Sequence, residues 1–547
     1  MRDIFFRRQT NILSAAFVIM ATYGISHLVG LFKTRLLISI FFGTKAQLLD
    51  VYYAAFRIPD TIFQILVIGT LSAAFIPTFN KYLAKNEKEA WHIASDTMNL
   101  MFLVFFVLSV VIFIFAHPMS RLLAPGFTAS QTALMVQLLR IMLVAQAFFS
   151  VSGFLTAIIQ SHQRFLVPAL APIAYNVGII LGIWLLSPTL GIAGPAIGVV
   201  IGAVLHMLIQ LPLALRLGFR PHFHLNLGPG VQEIGRLAPA RSLALGIDQI
   251  EQTVAVVLAS FLAPGSLSLL NASQLLFTIP TSLFGATIGQ AAFPTLVKEA
   301  AESDLKRFRQ TLVSSFLQIA FVALPLSTMF IVLRIPIVRL IFGSKAFPWE
   351  ATLLTGKTLA ILCTSAAFYA VMQLVIRGFY ALHDTKTPLM VGLVAALFSS
   401  LASVFAVSWL GWGILGIAAA IAITAILETL ALTYLLHRRI SKGLETLEVF
   451  ISLSKMVFIS FITGLGLWIP MRLLDKFVFD TTRTIPLLLL TAVTSIIGFG
   501  VYILLSYLFR IKEISAFADL IKRVLRWKDI LTAPPVEPMI LPAHEQN

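Results

Sequence analysis

The sequence predicts an all-α integral membrane protein of about fourteen transmembrane helices: two six-helix lobes related by a pseudo-two-fold along the membrane normal, plus two extra C-terminal helices. Three observations predict it. The chain is 58% hydrophobic and only 12% charged, roughly half the charge of an ordinary globular chain, so a soluble fold of 547 residues could not cover its core with polar surface. The apolar residues gather into runs long enough to cross a bilayer. Segments of the first half also return about 220 residues later in the second.

The first run follows Arg2, Arg7 and Arg8 and extends from about 12 to 42, longer than the 7–15 residues of a signal peptide's apolar region. It reads as a permanent span. Further runs follow at about 49–82, 90–117, 131–160, 167–187, 192–215, 232–263, 267–297, 307–333, 350–381, 386–409, 413–437, 449–474 and 484–510. Short turns such as Ser187-Pro188 and Pro264-Gly265 separate most of them, and no gap would hold a soluble domain. The expected organisation is an N-lobe over 1–215, a linker over 216–231, a C-lobe over 232–440, two more helices over 441–510 and a tail over 511–547. The linker carries Pro221, Gly228, Pro229 and Gly230. The tail mixes Lys512, Lys522, Arg523, Arg526 and Lys528 with apolar residues and Trp527, the pattern of an amphipathic helix on anionic inner-leaflet lipid; beyond Pro534 the expectation is disorder.

Lysine and arginine set the orientation. With the N-terminus cytoplasmic, 24 of them fall on the cytoplasmic side and 7 on the other, so both termini are expected in the cytoplasm. The repeat is carried by three echoes in the same order. Phe56-Arg57-Ile58-Pro59 returns as Phe277-Thr278-Ile279-Pro280, Ala73-Ala74-Phe75-Ile76-Pro77-Thr78 as Ala291-Ala292-Phe293-Pro294-Thr295, and Ser161-His162-Gln163-Arg164 as Leu382-His383-Asp384-Thr385. Six helices per copy insert both copies in the same sense, giving a parallel pair of bundles with a cavity between them.

Several functions are excluded. No G-x-x-x-x-G-K-[ST] loop is present, so ATP does not drive the chain. The single cysteine, Cys363, rules out internal disulfides and cysteine-rich metal sites. The net charge of +16 suits anionic headgroups or an anionic substrate; because its basic residues lie between apolar runs rather than in a domain, nucleic acid is not the expected partner. His27, His162 and His383 stand apart with no metal-ligand spacing. No enzyme, metal or cofactor is expected. A secondary transporter or flippase is.

Ionisable residues inside spans are costly and mark functional sites or structural pairs. They are Lys33, Arg35, Asp50, Arg57, Asp60, Arg140, Arg241, Asp248, Glu251, Lys357, Arg377, Glu428 and Lys455. Lys33 and Arg35 are two apart and cannot both face one cavity squarely. Asp50 and Arg57 share a face of the second helix. The functional reading makes Lys33, Arg57 and Arg35 a basic wall for a phosphate-bearing headgroup; the structural one pairs Asp50 with Arg57 or Lys33. Asp248 and Glu251, three apart with Gln249 and Gln252 beside them, are a candidate coupling site for a monovalent cation or proton, or are neutralised by Arg241 or Lys357.

These residues resemble the MurJ/MviN family of lipid II flippases, within the superfamily of multidrug, oligosaccharidyl-lipid and polysaccharide exporters. The likeness runs through Ser26-His27-Leu28-Val29-Gly30, Phe56-Arg57-Ile58-Pro59, Leu71 to Pro77, Ala124-Pro125-Gly126-Phe127, Arg164-Phe165, Pro168 to Pro172, Ala259 to Ala263 and, most specifically, Arg377 to Pro388. It implies a V-shaped pair of lobes that moves lipid II, the undecaprenyl-pyrophosphate-linked peptidoglycan precursor, between leaflets as a monomer, with the last two helices grooved for the lipid tail. It implies a bacterial inner membrane and places His27, Lys33 and Asp50 at the substrate, where Arg57, Arg35 or Arg241 would stand in for missing family cations. The chain also departs from the family: arginine is usual where His27 stands, Lys33 replaces a second arginine, and further basic positions fall on Phe63, Gln64 and Gln274. Lost cations leave open an exporter of another polyprenyl-pyrophosphate-linked oligosaccharide; an ion-coupled drug antiporter ranks behind it, because its cavity would want acidic residues to dominate and this one carries both signs.

Overall fold

The computed structural model describes residues 12–43, 45–68, 71–222, 225–440, 446–515 and 517. Most of the basic tail therefore lies outside the described residues. The described chain is helical throughout. In the first half run α1 (Ile12–Phe41), α2 (Ala46–Ile62), α3 (Ile76–Leu83), α4 (Glu87–Ile114), α5 (Ala116–Leu123), α6 (Ala129–Ser161), α7 (Leu166–Leu181), α8 (Ser187–Leu190), α9 (Ala193–Leu208) and α10 (Leu211–Arg216). The second half contains α11 (Pro229–Ser260), α12 (Ser266–Thr281), α13 (Thr287–Ala301), α14 (Leu305–Val332), α15 (Arg334–Phe342), α16 (Trp349–Cys363), α17 (Ala366–Ala381), α18 (Lys386–Ser408) and α19 (Gly413–Arg439), and α20 (Thr446–Phe477) and α21 (Thr484–Leu508) complete the chain.

Ten described helices are long and apolar enough to cross a membrane, or eleven when α16 and α17, bent by 42°, count as one span. The expected fourteen is not established. The other three expected segments, 49–82, 232–263 and 267–297, are helical too, but each is interrupted by π-helical turns or contains side chains outside the described set. Exposed Phe461, Leu401 and Ile496 face outward from spans, as lipid-facing residues do. We call the end bearing the expected cytoplasmic loops inner and the opposite end outer. Exposed Trp184, Trp409, Trp412 and Trp468 lie toward the outer ends of their helices, where an indole sits well at the lipid–water boundary.

The repeat is visible in the helix register. α4 and α5 recur as α14 and α15, each starting 218 residues later, and α7 and α9 as α18 and α19, 220 later. Both copies turn after the same span through a non-glycine residue in the left-handed region, Gln163 and His383, each at φ 57°. Both also carry a π-helical stretch shortly after the echoed proline, at Phe63–Ile68 after Pro59 and at Ser282–Ala286 after Pro280. Proline lacks the N–H that a helix interior needs, and a wider turn accommodates the interruption. Local caps fix other boundaries. Asn86 accepts from the N–H of Lys88 and Glu89 to start α4, and Thr128 with Gln131 forms a capping box at α6.

Each half has an outer and an inner core. The outer cores are shared: Leu31, Ile38 and Phe42 from the start of the chain sit in the C-lobe core with Leu270, Phe342 and Leu359, while Val256, Ala259 and Leu267 sit in the N-lobe core with Leu49 and Leu139. The inner cores lie around Phe75, Phe79 and Phe154 and around Phe308, Leu374 and Phe379. Among the described residues, α11 of the C-lobe joins the inner end, with Ile234 in the N-lobe core and Glu233 accepting from Lys81 at 2.9 Å. The lobes thus meet through several helices at the outer end and through α11 at the inner one.

Candidate functional site

The residues expected around one headgroup separate into two groups. Lys33, half-buried on α1, has no hydrogen-bond or ion-pair partner among the described residues. Its ammonium is free to meet an anion. His27, also half-buried, packs edge-on against the Tyr23 ring at 4.5 Å, the contact of a packing residue.

Arg57 is buried in the middle of the bundle and already engaged. Its Nη1 donates to Gln252 Oε1 at 2.7 Å, its Nη2 to Gln249 O at 3.0 Å and to Gln249 Oε1 at 2.7 Å, and Asp60 lies 3.6 Å away. Gln64, where the family has a basic residue, hydrogen-bonds Asp60, and Phe63 packs at a tilt on Phe149 with ring centroids 5.0 Å apart. Neutral residues at 63 and 64 therefore complete this cluster rather than extend a basic wall. Gln274 is half-buried on α12.

Asp50 and Arg35 sit elsewhere. Asp50 is buried and accepts from Gly265 N at 2.6 Å, Ser268 N at 2.8 Å and Ser268 Oγ at 2.6 Å, so it caps the N-terminus of α12 across the lobe boundary. The structural alternative, a pairing with Arg57 or Lys33, is not what the structure contains. A carboxylate at a helix N-terminus satisfies free N–H groups and meets the positive end of the helix dipole. Arg35 points the opposite way from Lys33 and donates to the carbonyls of Leu340, Ile341 and Gly343 at the end of α15. In this conformation both hold the outer end of the lobes together. Gly126 N adds a third contact, donating to Ser260 Oγ at 3.1 Å; a side chain at Gly126 would run into the Ser260 main chain.

Of the acidic pair on α11, the Asp248 side chain lies outside the described residues. Glu251 accepts from Ser399 Oγ on α18 at 2.6 Å. Lys357 is exposed and Arg241 is not described, so neutralisation of this pair by them finds no support among the described residues.

The apolar accommodation lies on the C-lobe. A cavity of about 640 Å³ is lined by α14, α17, α19 and α20, including Val313, Phe316, Leu436, Phe450 and Val457. A second, of about 620 Å³, continues it toward the outer end past Thr328, Phe461 and Trp468. The two share Leu324 and Val457. The resemblance implied a tail groove formed by the last two helices, yet α21 lines neither cavity. Gly498 brings α21 tight against Leu467 of α20, and Gly466 meets Val501, so these helices close on each other and the grooved face of α20 turns to α14.

Sequence reasoning missed Ser268, Gly265 and Ser399. Their roles depend on partners over a hundred residues away, or on main-chain atoms that carry no residue signature.

Comparison with known proteins agrees with this architecture. The sequence profile of a family described as "Lipid II flippase MurJ" matches residues 38–487. A "Probable lipid II flippase MurJ" of Bdellovibrio bacteriovorus is 26% identical over 514 residues, covering 92% of this chain and 96% of the relative. The "Lipid II flippase MurJ" of Burkholderia cenocepacia is 26% identical over 441 residues, 78% of this chain and 84% of the relative. Among solved structures, "Lipid II flippase MurJ, inward closed conformation" superposes with a TM-score of 0.76 at 23% identity, over 92% of this chain and 100% of that one. An inward-facing multidrug transporter of the MATE family gives 0.63 at 14% identity, over 78% and 98%; both likenesses concern the fold. The chain is a multi-pass bacterial membrane protein, and it belongs to the lipid II flippase MurJ family.

Proposed function

We propose that this protein carries lipid II from the inner to the outer leaflet by alternating access, without catalysing a reaction. The observation that carries the reading is the family match over residues 38–487, on a fold whose lobes meet at the outer end through Arg35, Asp50 and Gly126 and at the inner end through α11. Lys33 is the cation free to meet the pyrophosphate, and Arg57 joins it when the lobes rearrange and release Gln249 and Gln252. The polyprenyl tail lies in the apolar channel between α14 and α20. Both termini face the cytoplasm, where the basic tail meets anionic lipid, and one chain suffices because its two lobes form the cavity between them. Glu251, with Ser399 and Asp248, is the proposed site where a monovalent cation or proton couples to the cycle.

The test is flipping in proteoliposomes containing labelled lipid II, read by loss of label accessibility on one leaflet. Wild type moves the label, and Lys33→Ala slows it while retaining the fold. Transport of a different polyprenyl-pyrophosphate oligosaccharide but not of lipid II would move the protein to the polysaccharide exporters, and drug transport with neither would move it to the antiporters.

A further inference from the structure

We propose that Arg35 is a latch on the outer gate, a residue that sets how often the carrier opens outward rather than one that binds the substrate. Its guanidinium, on α1 of the N-lobe, reaches across the lobe boundary. Nη1 donates to the carbonyls of Leu340 at 2.6 Å and Ile341 at 2.9 Å, and Nη2 to that of Gly343 at 3.3 Å. These oxygens belong to the last turn of α15 and the residue after it. The final carbonyls of a helix have no partner within it, and they form the negative end of its dipole. A cation forked over three of them matches them in charge and in geometry.

The surroundings make the contact a seam. Gly43 abuts Ala346, and Phe42 packs on Phe347 with ring centroids 5.2 Å apart. A side chain at Gly343 would meet the Arg339 carbonyl, and Arg339 in turn donates to Phe347 O at 3.1 Å, which fixes the loop that receives Arg35.

The repeat supplies the internal comparison. α1 and α11 occupy equivalent places in the two halves, as do α5 and α15. On the other side of the pseudo-two-fold, Ser260 at the end of α11 receives a hydrogen bond from Gly126 in the loop after α5. Each half's first helix thus grips the loop after the opposite half's short outer helix. One grip is a neutral hydroxyl. The other is a charged fork, so the seam is asymmetric and Arg35 is its stronger side. Outward opening parts these loops and returns the guanidinium to water.

The inference rests on the two-lobed carrier reading, but its test does not depend on which lipid is carried. Spin labels at Leu122→Cys on α5 and Trp349→Cys on α16, both exposed positions, in the full chain with Cys363→Ala, report the outer separation of the lobes by pulsed dipolar spectroscopy in nanodiscs. Arg35→Ala is expected to raise the long-distance population about tenfold or more relative to the short one, the scale of a lost charged hydrogen-bond set. Arg35→Lys, with charge but no fork, falls between wild type and Arg35→Ala. Lipid II affinity measured in the inward state stays within about twofold. A folded Arg35→Ala with the wild-type distance distribution overturns the latch. So does weaker lipid binding with unchanged distances, which would return Arg35 to the headgroup site. If Arg35→Ala does not fold, Arg35→Lys decides by the same readout, and an unchanged distribution overturns the proposal.

Discussion

Arg57 grips Gln249 twice, donating from one nitrogen to both its main-chain and its side-chain oxygen, 192 residues along the chain. Gln252, one turn further on the same helix, takes the other terminal nitrogen. The middle of the second helix is thereby tied to α11, and a residue expected to hold substrate is also a strut between the lobes.

Arg57→Ala should therefore do two things at once. It removes transport, and it leaves Asp60 and two glutamines without their cation in a desolvated place, a loss of about 3 kcal/mol or more. Thermal unfolding in detergent checks the second effect. A midpoint equal to that of wild type would mean that the strut contributes nothing and that Arg57 acts on substrate alone.

At the gate, Asp50→Ala is expected to lower stability by about 1–2 kcal/mol through loss of the α12 cap and to open the outer end. Gly126→Ala should act in the same direction by forcing the loop away from Ser260, at about 1–3 kcal/mol. Labelling of an outer-cavity cysteine by an impermeant maleimide reads both. Unchanged labelling in the two variants would place the outer contact elsewhere.

Asp384 gives a pH prediction outside the membrane spans. Burial pushes its carboxyl up, but hydrogen bonds from the Thr387 hydroxyl and N–H, then Arg439 at 2.6 Å and the Lys386 N–H, outweigh it and hold it below the ordinary carboxylate range. A depressed carboxylate stabilises the fold at pH values above the unfolded pKa of about 3.9, and that contribution disappears as pH falls through the lower folded value. Asp384→Asn should lower the melting temperature near neutrality and shrink its acid-side decline. Parallel melting curves for variant and wild type, from about pH 7 to about pH 3, would contradict the assignment.

The channel between α14 and α20 can be plugged at Val457, which lines both of its cavities. Val457→Trp should slow flipping of lipid II with its full polyprenyl tail by about tenfold, while a short-tailed analogue moves at close to the wild-type rate. Equal slowing of both lipids would take the tail out of this channel.

Much of the fold is written in hydropathy and in the repeat, because lipid exposure and twofold duplication both leave periodic marks on the chain. Lys33 and Arg35 also diverge as their spacing requires: one has no partner among the described residues and the other reaches α15. What the sequence hides is the partner. Asp50 meets main-chain N–H groups at Gly265 and Ser268, and Arg35 meets carbonyls; backbone acceptors and donors look the same behind every side chain. The partners that charge alone suggests, Arg57 and Lys33, are not the ones Asp50 takes. The glutamines beside Asp248 were visible from the start, but only folding could assign them to Arg57.

The central claim is tested most directly by competitive binding of lipid II against undecaprenyl-pyrophosphate bearing an unrelated oligosaccharide, with wild type and Lys33→Ala side by side. The account predicts that wild type prefers lipid II and that Lys33→Ala binds it at least tenfold more weakly, about 1.4 kcal/mol, with an unchanged melting temperature. Equal or reversed preference in wild type, or full affinity in Lys33→Ala, would contradict it.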